Sequence, residues 1–251
     1  MLSKDAIREE IWRLLDESGV SRFPKPIKGR IPNFEGSEKA ADRLISQPEF
    51  QNAEVVKINP DSPQAPVRRR ALLSGKLLIM PTPKLRKGFL ILNPKRLPRK
   101  VLAKASTIRG AFKYGSLSSL SKLPKVDLIV AGSVAVSKDG VRIGKGGGYS
   151  EIEYAILREL KLIDEKTPVF TTVHDLQIIE EAPKDPYDLV VDVIATPSKL
   201  LRVERKYPQP EGVMWEKLGR RRLKEIPVLR ELKALTAKGK EGKLNLSGRL
   251  I

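Results

Sequence analysis

Residues Asp127–Leu157 read DLIVAGSVAVSKDGVRIGKGGGYSEIEYAIL. Asp127–Val136 is an almost continuous apolar run, the pattern of a central strand covered on both faces. Lys138-Asp139-Gly140 is a turn. Gly144, Gly146, Gly147 and Gly148 follow, and a helix is expected over about Glu151–Leu162. Glycine lets the backbone approach a ligand closely and adopt φ > 0. Successive free N–H groups in such a loop cradle phosphate oxygens, and a helix N-terminus adds its dipole. Arg142 and Lys145 supply positive charge. Ser150 is the expected N-cap, with Glu153 as its capping-box partner and Tyr149 and Tyr154 at staple positions. The loop fits neither GxxxxGK(S/T) nor GxGxxG, because Tyr149 stands at the last glycine position. Phosphate binding therefore rests on the glycines and cations themselves, against the alternative of a flexible hairpin-to-helix connection.

Outward from this stretch, strands alternate with helices. Ser3 caps a helix over Lys4–Glu17, ended by Gly19, with Ile7, Ile11, Leu14 and Leu15 at helical spacing. Residues 20–36 are an arm rich in Pro, Gly and cations. Helices are expected over Ser37–Ser46, Pro63–Ser74 and Pro98–Ala105. Strands are expected at Glu54–Ile58, Leu77–Met80, Gly88–Leu92, Val169–Val173 and Leu189–Ala195. The alternation predicts an α/β layered sheet. Residues 106–124 carry no decisive pattern. Beyond Pro210 the chain is basic and lacks strand signals. We expect an α/β domain over residues 1–210 and a basic, helical or irregular extension over 211–251.

The chain has 251 residues, no cysteine and one histidine, His174. That excludes disulfides, thiolate nucleophiles, Cys-ligated zinc, iron–sulfur clusters and any multi-His metal site. A metal here would be held by carboxylates, which suits Mg²⁺. With 48 Lys+Arg against 30 Asp+Glu the net charge is +18, a field that attracts polyanions. Aromatics are only 5%, so a base-stacking platform for single strands is not favoured. The N-terminus lacks the apolar stretch of a signal peptide, and no apolar run approaches the roughly 20 residues of a membrane span. A cytoplasmic protein is expected.

Other residue groups admit two readings. Lys4 and Arg8 share one helix face, either as solvated cations or as ligands of an anion. Asp188 and Asp192 flank the strand around Leu189. With Glu151 they offer Mg²⁺ ligands, or they are ordinary strand-edge carboxylates. His174 reads as a hydrogen-bonding or packing residue. The basic runs Arg68–Arg70, Lys84–Lys87, Lys95–Lys100 and Arg220–Lys224 read as solvated faces, with a nucleic-acid surface as the alternative.

The quoted stretch resembles the signature of the 5-formyltetrahydrofolate cyclo-ligase (methenyltetrahydrofolate synthetase) family: a buried strand, a G-x-R-x-G-x-G-x-G-Y-Y-D loop and a helix. Lys4…Arg8, LLSGKLLIMPTP (72–83) and VHDLQIIEEAPKDPYDLVVDVIATP (173–197) fall in the matching order. KxxIRxxIW, FPKPIKGRIPNFEG, INPDSPQ and GKGGGYSEIEYAIL are more similar still to the methenyltetrahydrofolate synthase domain-containing proteins. The resemblance covers roughly residues 3–215.

It implies a three-layer, NagB/RpiA-like α/β fold, a mixed sheet with helices on both faces. It also implies an ATP- and Mg²⁺-dependent reaction. The formyl oxygen of 5-formyltetrahydrofolate is phosphorylated, N10 attacks the activated carbon, phosphate leaves, and 5,10-methenyltetrahydrofolate results. Such chemistry needs chiefly positioning and charge neutralisation. Carried over by motif, Lys4 and Arg8 contact ATP phosphates. Arg142, Gly144, Lys145, Gly146, Gly147, Gly148 and Tyr149 form the nucleotide loop, with Arg142, Lys145 and Tyr149 as catalytic candidates. Asp61, Gly147, Gly148 and Tyr149 face the folate, and Glu151 and Asp192 hold Mg²⁺.

The motif also departs from the family. YYDR is here Tyr149-Ser150-Glu151-Ile152, so the second tyrosine and the arginine are lost and Asp has become Glu. The alternative is therefore a non-catalytic nucleotide- or RNA-binding protein on the same scaffold. Glu151 and Asp192 converging beside the loop, with a closed apolar slot for the pteridine, would favour the enzyme, and an open basic groove with no slot the binder. A monomer or dimer is expected. Weak, sequence-independent nucleic-acid binding is expected through residues 216–251, with truncation after Trp215 leaving nucleotide binding intact.

Overall fold

A strand buried on both faces sends alternate side chains into two cores, and Leu128–Ala131 does so. Leu128 and Val130 enter one core with Phe50, Leu72 and Phe170. Ile129 and Ala131 enter the other with Phe89, Tyr154 and Leu157. The computed structural model describes residues 2–247, with side chains for 2–219 and 221–237.

Helix α1 (Lys4–Glu17) is followed by a short antiparallel ribbon, β1 (Ser21–Arg22) and β2 (Asn33–Phe34), and by α2 (Ser37–Ile45) and α3 (Pro48–Asn52). Next come β3 (Val55–Ile58), α4 (Ala65–Leu73), β4 (Leu77–Pro81) and β5 (Phe89–Leu92). Then follow α5 (Leu102–Ala105), α6 (Ile108–Tyr114), β6 (Ser116–Ser118), β7 (Leu128–Ala131), β8 (Ala135–Ser137), β9 (Arg142–Ile143) and α7 (Tyr149–Glu159). The chain continues through β10 (Val169–Thr172), β11 (Ile178–Ile179), β12 (Val193–Ala195), β13 (Leu200–Arg202), α8 (Arg220–Glu225) and α9 (Val228–Ser247).

The main sheet has eight strands in the order β13-β12-β10-β7-β3-β4-β5-β6. Its centre, β12 through β4, is parallel. β13 joins antiparallel on one side, and β5 and β6 on the other. Leu44, Val67, Leu72 and Ala111 bring helices α2, α4 and α6 to one face. Ile156 and Leu157 of α7 and Leu229 and Leu232 of α9 cover the other. The expected mixed sheet between two helical layers is therefore present. Ser3 caps α1 as expected, its Oγ accepting from Ala6 N at 3.2 Å.

Two strand expectations need correction. Asp127–Val136 is not one strand. It breaks after Ala131, and β8 joins β9 and β11 in a separate three-stranded sheet. Gly132 marks the break, where an added Cβ would stand 2.7 Å from Gln64 Oε1 and 3.0 Å from Ile31. The small sheet packs with Ile7, Ile11 and Leu15 of α1 in a third core, which docks α1 beside the glycine loop. Leu189–Ala195 is likewise divided. Only Val193–Ala195 pairs in the main sheet, while Val190 bridges Val141.

The segment past residue 210 folds back. Ile226, Leu229 and Leu232 are fully buried in the same core as Phe89 and Ile129. The last residues of the expected extension, 248–251, lie outside the described residues. No helix among the described residues is long and apolar enough to cross a membrane.

Candidate functional site

The glycine loop enters α7 through Gly148, whose φ of +63° is left-handed. Gly148 is the N-cap, and the helix begins at Tyr149. The expected cap at Ser150 and the capping box are not formed. Their side chains turn inward, because the buried face of this turn holds polar groups that need partners. Ser150 Oγ accepts from Asn59 Nδ2 at 2.7 Å and from Arg142 Nη2 at 3.2 Å. Glu153 pairs with Lys57 Nζ at 2.5 Å, and Lys57 also donates to Asn59 Oδ1 at 2.6 Å. Both charges are almost fully buried. Burial pushes the Glu153 carboxyl above the ordinary glutamate value, although Lys57 pulls it down.

Arg142 continues this network. Its Nε donates to Gly132 O at 2.7 Å, and its guanidinium pairs with Glu151. It is 3% exposed, so it aims Glu151 from inside rather than reaching out from the loop.

Helix α1 supplies the facing cations. Arg8 Nε donates to Gly144 O at 2.6 Å. Lys4 pairs with Asp185 at 2.6 Å and with Asp188. Burial lowers the Lys4 ammonium, but hydrogen bonds to Asp185 and Asp188 outweigh it, and its pKa stands above the ordinary lysine value. Burial pushes the Asp188 carboxyl up. Lys4, Arg8, Arg142, Glu151 and Asp188 line one cleft of about 150 Å³ together with the loop glycines. Lys145 reaches across to Asp61 at 2.7 Å. The structure thus brings together Lys4, Arg8, Asp61, Arg142, Gly144–Gly148, Tyr149 and Glu151.

It does not bring Asp192 there. Asp192 accepts from Val169 N at 2.7 Å and pairs with Arg205 at 2.7 Å, at the start of β10. The expectation assumed one strand with both acids on one side of its pleat. The division before Val193 separates them, and Asp188 is the one that shares the cleft with Glu151. Among the described residues, no group of three or more His, Asp or Glu is placed to hold a metal by itself.

A second cleft of about 270 Å³ adjoins the first at Glu151. Ile152 and Ala155 of α7 form one wall, and Val213, Met214 and Leu218 the other. Arg222 also lines it. Its Nη2 donates to Gly147 O at 2.6 Å, and its guanidinium lies 5.0 Å from the centre of the Tyr149 ring. Truncation after Trp215 therefore does not spare the site: it removes Arg222 and the buried Ile226, Leu229 and Leu232.

Reading the sequence missed Lys57, Asn59 and Arg222. A lone lysine in the apolar strand VVKI was a signal, since such a charge demands a buried partner. Arg222 gave none, because its place depends on how residues past 210 fold back. Of the basic runs, Arg68 is internal, donating to Ser106 O at 2.8 Å, Asn59 O at 2.5 Å and Asp61 O at 2.9 Å. Burial pulls its pKa down to about 10. Arg69 and Arg70 pair with Glu38, and Arg70 also with Asp42. His174 is a hydrogen-bonding and packing residue, as expected. Its Nδ1 accepts from Leu176 N at 3.2 Å, and its ring meets Phe34 edge-on at 6.0 Å.

The layered α/β fold places a glycine loop opposite two cations of the first helix. The model of the 5-formyltetrahydrofolate cyclo-ligase family matches residues 1–197, and the chain belongs to that family. It is 41% identical over 236 residues to the methenyltetrahydrofolate synthase domain-containing protein of Mus musculus, covering 92% of this chain and 63% of that one. With the protein of the same name from Homo sapiens it shares 39% over 237 residues, covering 93% and 62%. The chain thus spans under two thirds of the length of these relatives. Its fold is similar to the NMR structure of Aquifex aeolicus 5,10-methenyltetrahydrofolate synthetase, with a TM-score of 0.51 and 22% identity over 81% of this chain and 94% of that one.

Proposed function

We propose that the protein catalyses the ATP-dependent cyclisation of 5-formyltetrahydrofolate to 5,10-methenyltetrahydrofolate. The observation that carries this reading is the meeting of two clefts at Glu151, one lined by Lys4, Arg8 and the glycine loop, the other walled by Ile152, Ala155, Val213, Met214 and Leu218. The first suits a polyphosphate and the second a flat, largely apolar ring system. Asp192 does not converge with Glu151 as the enzyme reading expected, and a basic cleft of the kind the binder reading expected lies beyond the loop, so the apolar walls beside Glu151 are what favours catalysis.

Lys4 and Arg8 neutralise phosphate charge, and the backbone N–H groups of the loop hold the phosphate oxygens. Glu151, oriented by Arg142, and Asp188 are the carboxylates that fit Mg²⁺, which nucleotide sites bind through one or two carboxylates plus phosphate. The ion when bound neutralises charge on the transferred phosphoryl group. The apolar walls exclude water from the activated formyl group and hold N10 near its carbon. Positioning of this kind accounts for much of the rate in phosphoryl transfer.

The test is the purified protein with ATP, Mg²⁺ and 5-formyltetrahydrofolate, followed by methenyl absorbance. Absorbance should rise only with all three present. Mg–ATP binding without product would favour the non-catalytic alternative. The loop itself is tested by Gly147→Val. A Cβ there would stand 2.7 Å from the Tyr149 ring. Calorimetry should show Mg–ATP affinity reduced at least about tenfold, or ~1.4 kcal/mol.

A further inference from the structure

The family motif carries an arginine directly after its acid, and this chain has Ile152 there. Ile152 is buried against the main core. A guanidinium nevertheless stands at this turn, delivered by α8. Arg222 donates to Gly147 O, lies over the Tyr149 ring, and lines the same cleft as Ile152. Ile226, Leu229 and Leu232, which follow it, are fully buried, and the cation lies over the Tyr149 ring.

Its donors are not spent. Guanidinium has five N–H donors, and among the described residues one close hydrogen bond uses one of them. The carboxylate nearest to it, on Glu225, stands 3.8 Å away and is held closer by Arg221 at 2.8 Å. The side chain is 31% exposed and also lines a cleft on the outer side of the loop, with Lys84, Arg86, Lys145 and Arg221. The local field there is positive, opposed by Glu225 and by Asp61, which pairs with Lys145 at 2.7 Å. Arg222 lies outside the family match, which ends at residue 197. The alignment with the mouse relative covers 92% of this chain and so runs past that point.

We propose that Arg222, delivered by the C-terminal segment, binds the phosphate chain of the nucleotide at Gly146, the loop residue that lines both this outer cleft and the cleft of Lys4 and Arg8. This rests on the nucleotide reading given above. Charge-assisted, bidentate contact with phosphate is what an arginine guanidinium is suited to make.

The experiment is calorimetry of Mg–ATP and of AMP, the latter by competition, with three proteins: unmutated, R222A and R222K. R222A should weaken Mg–ATP binding at least about tenfold, or ~1.4 kcal/mol, and AMP binding by less than about threefold. R222K should fall between. An R222A affinity for Mg–ATP within about twofold of the unmutated protein overturns the proposal. So does an equal loss for ATP and AMP, which would make Arg222 a support of the loop and not a phosphate ligand. If R222A does not fold, R222Q, which keeps length and removes charge, takes its place with the same expected and overturning results. No Mg–ATP binding by the unmutated protein would overturn the nucleotide reading and this proposal together. Binding that R222A leaves unchanged would overturn this proposal alone.

Discussion

Replacing Lys57 with methionine should destabilise the protein by about 3–5 kcal/mol at neutral pH, measured by denaturant unfolding. Methionine fills the space but leaves Glu153 buried without its cation and Asn59 Oδ1 without its donor. The loss should depend on pH in a set direction. Burial already holds the Glu153 carboxyl above the ordinary value of 4.5, and removing Lys57 raises it further. In the unfolded chain the same group ionises near its ordinary value. A carboxyl whose folded pKa is raised favours the fold below the unfolded value, and that advantage is lost as pH rises through the folded one. K57M should therefore lie closer to the unmutated protein at pH 5 than at pH 8. Adding Glu153→Leu should restore much of the stability and abolish this pH dependence. Equal destabilisation of K57M at both pH values would show that the buried charge is not the cause.

Glu151→Gln should lower turnover at least about a hundredfold, or ~2.7 kcal/mol of transition-state stabilisation, in the cyclisation assay. The substitution keeps size and hydrogen bonding and removes the charge that Arg142 orients toward both clefts. Arg142 retains Gly132 O and Ser150 as partners, so the thermal midpoint should move far less than in K57M. Asp192→Asn is the contrast. Its partners are Val169 N and Arg205, so stability should fall while turnover per folded molecule stays within about twofold. Undiminished turnover in E151Q at ordinary magnesium concentrations would remove Glu151 from the reaction.

The parts of this site that were legible in the sequence are those fixed by local pattern. Gly144–Gly148 before Tyr149 marks a tight loop at a helix start, and the spacing of Lys4 and Arg8 puts them on one face wherever the helix docks. The apolar strands and their alternation with helices were enough for the layers. What stayed hidden depends on long-range placement. Asp127–Val136 is apolar throughout, so its pattern does not show that the chain leaves one sheet for another at Gly132. The acids at 188 and 192 looked equivalent until the division of their strand sent one to Lys4 and the other to Arg205. Ser150 and Glu153 fit the capping-box spacing, yet a left-handed glycine took the cap and freed both side chains for the buried network.

The loop is held from two distant parts of the chain, by Arg8 at the Gly144 carbonyl and by Arg222 at the Gly147 carbonyl. A chain that stops near residue 210 has the sheet strands but lacks Arg222, and with it one of the two holds on the loop. A ligand on this loop then protects more than its immediate surroundings. Because it favours molecules in which both α1 and α8 are docked, its binding energy should appear as slowed hydrogen exchange in α1 and α8 as well as at the glycines.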